Sequence, residues 1–464
     1  MNLNLLHGSR SYAAITVLSR FLSIISISII TRILAPEEYG QLSLIVTLAS
    51  LLNIVVTCEI TQSAAFYHNE KEYHKNDLFG TALIFIICLY VIILFLFYIG
   101  NSLFQAHYKP ITKFSNEMVL ATILLSACNG VFLLIQNQLR MAGDIKRYTL
   151  LSISFLVANA LTPIAFCLLN SKSALSAIWG QVLGSAFINI ISIAILASSL
   201  LGKYHFKHLS TMLKYSLPIV PASLLLIFSQ QSSKLMLGAY SDLKDVGIFS
   251  LAFQIAGFAA MSVVGVQTSI TPAIMANKNN IELVQQLNLI FRKFALTSIA
   301  VCALLTIFSN EIILVFSSGN YIEASQYVPL LSVGIVLSCF YVFFPGFFIR
   351  GLSKLQLAAS IISFLVGIGL NFLLIPIFGI AGAVTATLLS SISFISTWYY
   401  FSQKYISIHI NWLELIPIGV IMSIYALIGF KFKIAEDLTI VILLKIFYSM
   451  PVMAYLIHQH VKIK

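Results

Sequence analysis

Four cationic side chains lie inside long apolar runs of this chain: Arg20, Arg32, Lys234 and Lys445. A charge at membrane depth is costly, so by default it marks a site. Arg20, in "VLSRFLSII", is about nine residues into its run, or roughly 14 Å along a helix rising about 1.5 Å per residue. That depth is close to the middle of the hydrocarbon, too far for easy snorkelling. Arg32 closes the same run, either as a headgroup anchor or as the outer rim of a cleft, and Lys234 lies near the end of the seventh run. Lys445 has a stem long enough to bring its ammonium to the headgroups, and Glu59 and Glu311 fall near run ends, where an interfacial setting is expected. No Asp or Glu falls at the central depth to neutralise Arg20. A cleft of that sign attracts an anion, and a guanidinium matches phosphate with paired N–H donors. Asn53, Gln230, Gln231, Gln254 and Gln267 are uncharged polar residues at depth. They can hydrogen-bond hydroxyls such as those of sugars, although such residues also serve as glue between helices. The candidate binding residues are Arg20, Arg32, Lys234, Asn53, Gln230 and Gln254.

Other chemistries find little support. Cys58, Cys88, Cys128, Cys167, Cys302 and Cys339 fall in apolar runs without a CxxC pair, as buried small hydrophobes do. The nine histidines are not spaced for a metal. Neither a metal nor a cofactor is expected, and the chain is read as a non-enzyme; whether a proton or sodium ion drives it is left open by the residues. The net charge of +11 is scattered over many short loops, which argues against nucleic acid as a partner.

The elements that position these residues are membrane spans. Hydrophobic residues make up 59% of the 464 and charged residues only 9%, against about 25% charged in a soluble domain. The apolar runs are continuous rather than alternating, which excludes a β-barrel. Runs of about 20 residues, the length that crosses a bilayer, number fourteen, from 11–33 to 438–458, with no cleavable signal ahead of the first. Placing both termini inside puts seventeen Lys and Arg in inner loops and six in outer loops, so the positive-inside rule orients the chain N-in and C-in. Asn279 and Glu282 are spaced as a capping box, and the apolar residues Ile281, Val284, Leu287 and Phe291 follow at helical spacing. This predicts a short amphipathic surface helix between two halves of a bundle.

Self-similarity supports two halves. "YGQLSL" at Tyr39–Leu44 matches "VGIFSL" at Val246–Leu251, an offset of 207, and "ISFLV" recurs at Ile153–Val157 and Ile362–Val366, an offset of 209. Basic inner loops beginning at Arg140 and Arg350 precede both copies of the second motif. The expected fold is an all-α polytopic membrane protein of about 14 transmembrane helices. Two parallel six-helix lobes, at 1–200 and 201–402, are followed by two appended helices at 403–464. Two such lobes leave a cleft able to alternate between the two sides of the membrane. In "TRILAPEEYGQLS", Ala35 to Gly40 are expected to form the outer turn after the first span, with Pro36 as helix stop and Gly40 as the flexible residue.

That stretch, with "KYSLPIVPASL", "DVGIFSLAFQIA", "GNYIEAS" and "NFLLIPIFGIAGAVTATLLSS", resembles the Wzx-type polysaccharide and O-antigen flippases. These belong to the MATE-like multidrug/oligosaccharidyl-lipid/polysaccharide (MOP) superfamily. Ser19-Arg20 is similar to the Ser-Arg pair of related lipid II flippases, which implies a phosphate or pyrophosphate contact for Arg20. Ser233-Lys234 stands where family members often carry Asp-Arg, keeping the cation and losing the acid. The Gln254 region replaces a lipid II flippase arginine, which argues against a peptidoglycan precursor.

The resemblance implies a flippase in the bacterial cytoplasmic (inner) membrane. It would carry an undecaprenyl-pyrophosphate-linked oligosaccharide from the cytoplasmic to the periplasmic leaflet, with membrane lipids, a polysaccharide polymerase and a chain-length regulator as partners. The alternatives are a lipid II or teichoic-acid precursor flippase, a multidrug exporter of the same superfamily, and a membrane polysaccharide polymerase or glycosyltransferase.

Overall fold

A computed structural model describes residues 22–68, 70, 74–104, 114–197, 202, 204–261, 281–344, 346, 353–405, 412–430, 444–451 and 454. Regular structure among them is helical throughout. Eight of these helices are long and apolar enough to cross a membrane, or ten if each of two bent pairs counts as one span. The expected fourteen are not reached among the described residues. Several of the expected runs lie partly outside the described residues, several are broken by the backbone, and the helix over 353–403 holds two of them folded back on each other at Gly379. The chain packs as two compact units, residues 1–227 and 228–464.

In the first unit, α1 (Leu22–Ile33) is followed at once by α2 (Pro36–Thr57), with Ala35 extended at the cap and Pro36 in the first turn. The turn is therefore shorter than expected, and Gly40 is a buried residue inside α2. Proline lacks the N–H that a first helical turn leaves unpaired, so Pro36 opens α2 rather than merely stopping α1. Beyond Thr57 the chain takes two successive left-handed residues, Cys58 and Glu59, at φ 48° and 53°. A left-handed non-glycine residue costs roughly 1–2 kcal/mol. This break separates α2 from α3 (Ile60–Tyr67), close to where the second apolar run ends. Glu59 is buried there, its carboxylate accepting from Gln62 Nε2 at 2.9 Å.

The long helices α4 (Lys75–Phe104), α5 (Asn116–Ala142), α6 (Ile145–Leu169) and α7 (Ala174–Ile195) follow. Ser115, Asp144 and Ser173 cap the last three by accepting backbone N–H bonds, and left-handed Gly143 ends α5, as cap chemistry predicts. A core of Ile60, Leu78, Phe79, Ile86, Leu134 and Ile135 joins α3, α4 and α5. The amphipathic α8 (Phe206–Ser216) lays Leu209 and Met212 onto that core.

The second unit begins within α9 (Val220–Tyr240) and continues through α10 (Leu243–Ala256), α11 (Ile281–Ile307) and α12 (Ser309–Phe316). The predicted short amphipathic helix is not a separate element: its described part, from Ile281, runs unbroken into α11, while Asn279 lies outside the described residues. After a 3-10 turn come α13 (Val328–Cys339), α14 (Ser353–Gln403) and α15 (Trp412–Phe430). A final helix, α16, covers residues 444–451.

Helix α14 is a hairpin. Gly379, at φ 56° and ψ −128°, supplies a reversal that only glycine adopts readily. The two arms then lie side by side, with Gly367 against Ser390 and Gly382 against the Leu374 carbonyl. In the first unit α6 and α7 pair in the same manner, Gly180 and Gly184 resting on Thr162 and Pro163. Small residues of this kind let helix backbones approach closely.

Candidate functional site

Arg20 and Gln267 lie outside the described residues. Arg32 is exposed one residue from the end of α1. Asn53, in the middle of α2, donates from Nδ2 to the Ser126 carbonyl at 3.0 Å, and Tyr90 OH meets Ser126 Oγ at 2.6 Å. The Asn53 amide also lies against Gly130, where any Cβ would collide with it. Asn53 therefore ties α2 to α5 within the first unit.

In the second unit Gln230 and Lys234 come together on α9. Four residues apart, they share one face of the helix, Gln230 exposed and Lys234 half-buried. Lys234 makes no ion pair with a carboxylate among the described residues. Gln254 is exposed on α10.

Next to Lys234 the structure builds a polar network not anticipated from the sequence. Ser233 Oγ donates to Asn371 Oδ1 at 2.9 Å and meets Thr387 Oγ1 at 2.9 Å, and Asn371 Nδ2 donates to Ser232 Oγ at 3.0 Å. Thr387 Oγ1 also lies 2.8 Å from the Ala383 carbonyl, so its one proton is shared between that oxygen and Ser233. Ser232, Ser233 and Asn371 are all buried, and within the network each side chain has a partner, as a buried polar cluster requires. Asn371 stands on one arm of the α14 hairpin and Thr387 on the other, so Gly379 is what brings them both to α9. The only sequence sign was an asparagine within an otherwise apolar run.

Glu311 and Lys445 are the clear correction. Expected at the interface, they form a buried ion pair, with Lys445 Nζ at 2.8 Å from Glu311 Oε1 and side chains 1% and 8% exposed. Both residues fall within apolar windows, and 134 positions separate them, so nothing in the local pattern could pair them.

The arrangement offers an ammonium on an apolar helix, carried by the residue next to a buried cluster of hydroxyls and an amide. Such a group can attract an anionic oxygen; among the described residues no cluster of His, Cys, Asp or Glu could hold a metal ion.

A family model described as polysaccharide biosynthesis protein matches residues 5–278, and the model MatE matches residues 218–373. Comparison with curated protein sequences gives no match. Among solved structures, the lipid II flippase MurJ in an inward closed conformation is similar, with a TM-score of 0.77 over 97% of this chain and 99% of that one, at 16% identity. An inward-facing multidrug resistance MATE family transporter of the MOP superfamily gives a TM-score of 0.63 at 16% identity, covering 83% of this chain and 95% of that one. A MOP superfamily transporter from Pyrococcus furiosus, described as having reverse polarity of its binding pocket, gives 0.53 at 18% identity over 87% and 95%. At these identities the likeness is one of fold: the chain has a MurJ- and MATE-like fold.

Proposed function

The chain belongs to the polysaccharide biosynthesis protein family, and from that premise we propose that it flips an undecaprenyl-pyrophosphate-linked oligosaccharide from the cytoplasmic to the periplasmic leaflet. The cargo is the repeat unit of O-antigen or another surface polysaccharide, and the host membrane is the bacterial inner membrane, with both termini inside. The family match over residues 5–278 carries this reading.

The chemistry supports it. Sugars and pyrophosphate enter hydrocarbon only at high cost, so they need a polar route while the polyprenyl tail stays in lipid. Lys234, without a carboxylate partner among the described residues, suits an anion better than a cationic drug. In this reading Arg20 contacts the pyrophosphate, Lys234 and Arg32 guide it, and Gln230 and Gln254 meet the sugars, while Asn53, bonded to the Ser126 carbonyl, joins helices instead. Lobes at 1–200 and 201–402 would alternate access, with 403–464 appended.

The test is deletion of the chain followed by analysis of lipid-linked glycans. The reading expects an undecaprenyl-pyrophosphate oligosaccharide to accumulate on the inner leaflet while surface polysaccharide is lost. Accumulation of a lipid-linked peptidoglycan precursor would instead favour a second reading, lipid II flipping, which the fold likeness to MurJ over 97% of the chain supports.

A further inference from the structure

Helix α11 ends at Ile307 and α12 begins at Ser309, with Phe308 between them. A break of this kind leaves carbonyls at the end of the first helix without their helical partners, in the most negative part of its dipole. The ammonium of Lys445, reaching in from α16, covers that end. It donates to the Ile307 carbonyl at 2.8 Å, to Glu311 Oε2 at 3.0 Å, and lies 2.8 Å from Glu311 Oε1. The ammonium thus makes two hydrogen bonds and a close ion pair, and Glu311 stands in the first turn of α12. A carboxylate beside a helix C-terminal carbonyl is a donor set that broken transporter helices use for a small monovalent cation.

We propose that Lys445 is a tethered cation: its ammonium occupies a monovalent-cation position formed by Glu311 and the Ile307 carbonyl, and it fastens the C-terminal helices to the α11–α12 break. Lys445 is thus a positioning residue for that corner. The surrounding contacts match this role. Tyr448, one turn along α16 from Lys445, stacks on Tyr425 of α15 with ring centroids 4.2 Å apart, and Tyr448 OH donates to the Tyr425 carbonyl at 3.0 Å. Tyr425 OH donates in return to the Tyr448 carbonyl. Gly429 lets α15 approach both the Tyr448 ring and Ile307, since a Cβ there would lie 2.8 Å from the ring. The two C-terminal helices are clasped to each other by tyrosines and to the break by one lysine. The inference is independent of the flippase reading, because its test reads stability rather than transport.

The experiment is thermal unfolding of the purified full chain in detergent. Lys445→Ala should lower the melting temperature. Methylammonium or ethylammonium should recover most of that loss, and choline at equal ionic strength, too bulky for the site, should not. In Glu311→Gln/Lys445→Ala the amine response should vanish. An unchanged melting temperature in Lys445→Ala, or equal recovery by choline, overturns the proposal. If Lys445→Ala fails to accumulate in the membrane, Glu311→Leu/Lys445→Met removes both charges together and should accumulate, since no buried charge is then left unpaired. A double variant as scarce as the single one also overturns it.

Discussion

The Glu38 carboxylate, in the first turn of α2, accepts a hydrogen bond from the backbone N–H of Ala174, the first residue of α7 and 136 positions away. An anion at a helix N-terminus satisfies an otherwise open N–H and meets the positive end of the dipole. In the second unit Asp245 holds the corresponding place, immediately before the repeated stretch Val246–Leu251, as Glu38 precedes Tyr39–Leu44. Its Oδ2 lies 3.9 Å from where a Cβ on Gly379 would stand, at the turn of the α14 hairpin. Each unit therefore sets an acid from the start of one helix against the corner of a helical hairpin.

Removing the first of these contacts should be measurable. Glu38→Ala is expected to destabilise the folded protein by about 1 kcal/mol, the usual worth of a helix cap, with Glu38→Gln retaining part of it. Thermal unfolding in detergent is the measurement, and a variant as stable as the parent would show that the bond is worth nothing net.

The α9–α14 network should be sensitive to loss of its central amide. Asn371→Ala leaves the buried Ser232 and Ser233 hydroxyls short of a partner, at a cost of about 1–3 kcal/mol. Ser232→Ala removes one donor–acceptor pair and should cost less. The order of the two unfolding midpoints checks the assignment.

Helix pairing in the first unit depends on absent side chains. A Cβ on Gly180 would lie 2.6 Å from the Thr162 carbonyl oxygen, so Gly180→Val should force α6 and α7 apart and cost upwards of ~1–3 kcal/mol. Reduced accumulation of the variant in membranes would report it, and Gly143→Ala, with open space around its Cβ but a left-handed backbone, should be milder.

Transport itself tests the anion assignment. Arg20→Ala is expected to abolish export of surface polysaccharide while the protein remains inserted, and Arg20→Lys to keep part of it. Lys234→Gln should weaken export less. Wild-type export by Arg20→Ala would rule out the pyrophosphate contact.

Much of the fold was legible because the signals are local. A run of twenty apolar residues is a property of composition, so the membrane class follows from residue types alone; the caps Ser115, Asp144 and Ser173 came only with the structure, because Ser and Asp are equally at home in loops. The offset of 207 between Tyr39–Leu44 and Val246–Leu251 suggested a repeat, and Glu38 and Asp245, at that same offset, each stand in the first turn of a helix. Proline was legible as punctuation, but whether Pro36 ended one helix or opened the next depended on the backbone of Ala35, which residue type does not specify.

The tertiary structure alone decided which polar groups meet. Asn53 could have faced a cleft or a neighbouring helix, and the Ser126 carbonyl decided in favour of the helix. Lys445 had the reach to snorkel, yet the open carbonyl of Ile307 and the carboxylate of Glu311 offered its ammonium better company than the headgroups. Side chains paired across 134 residues leave no local pattern, because in an apolar medium the gain is attraction at close range, which offsets the cost of desolvating both charges, and proximity is a product of folding. The sequence by itself determined that this chain spans a membrane as a set of apolar helices; the folded chain determined that Lys445 and Glu311, far apart in sequence, are partners.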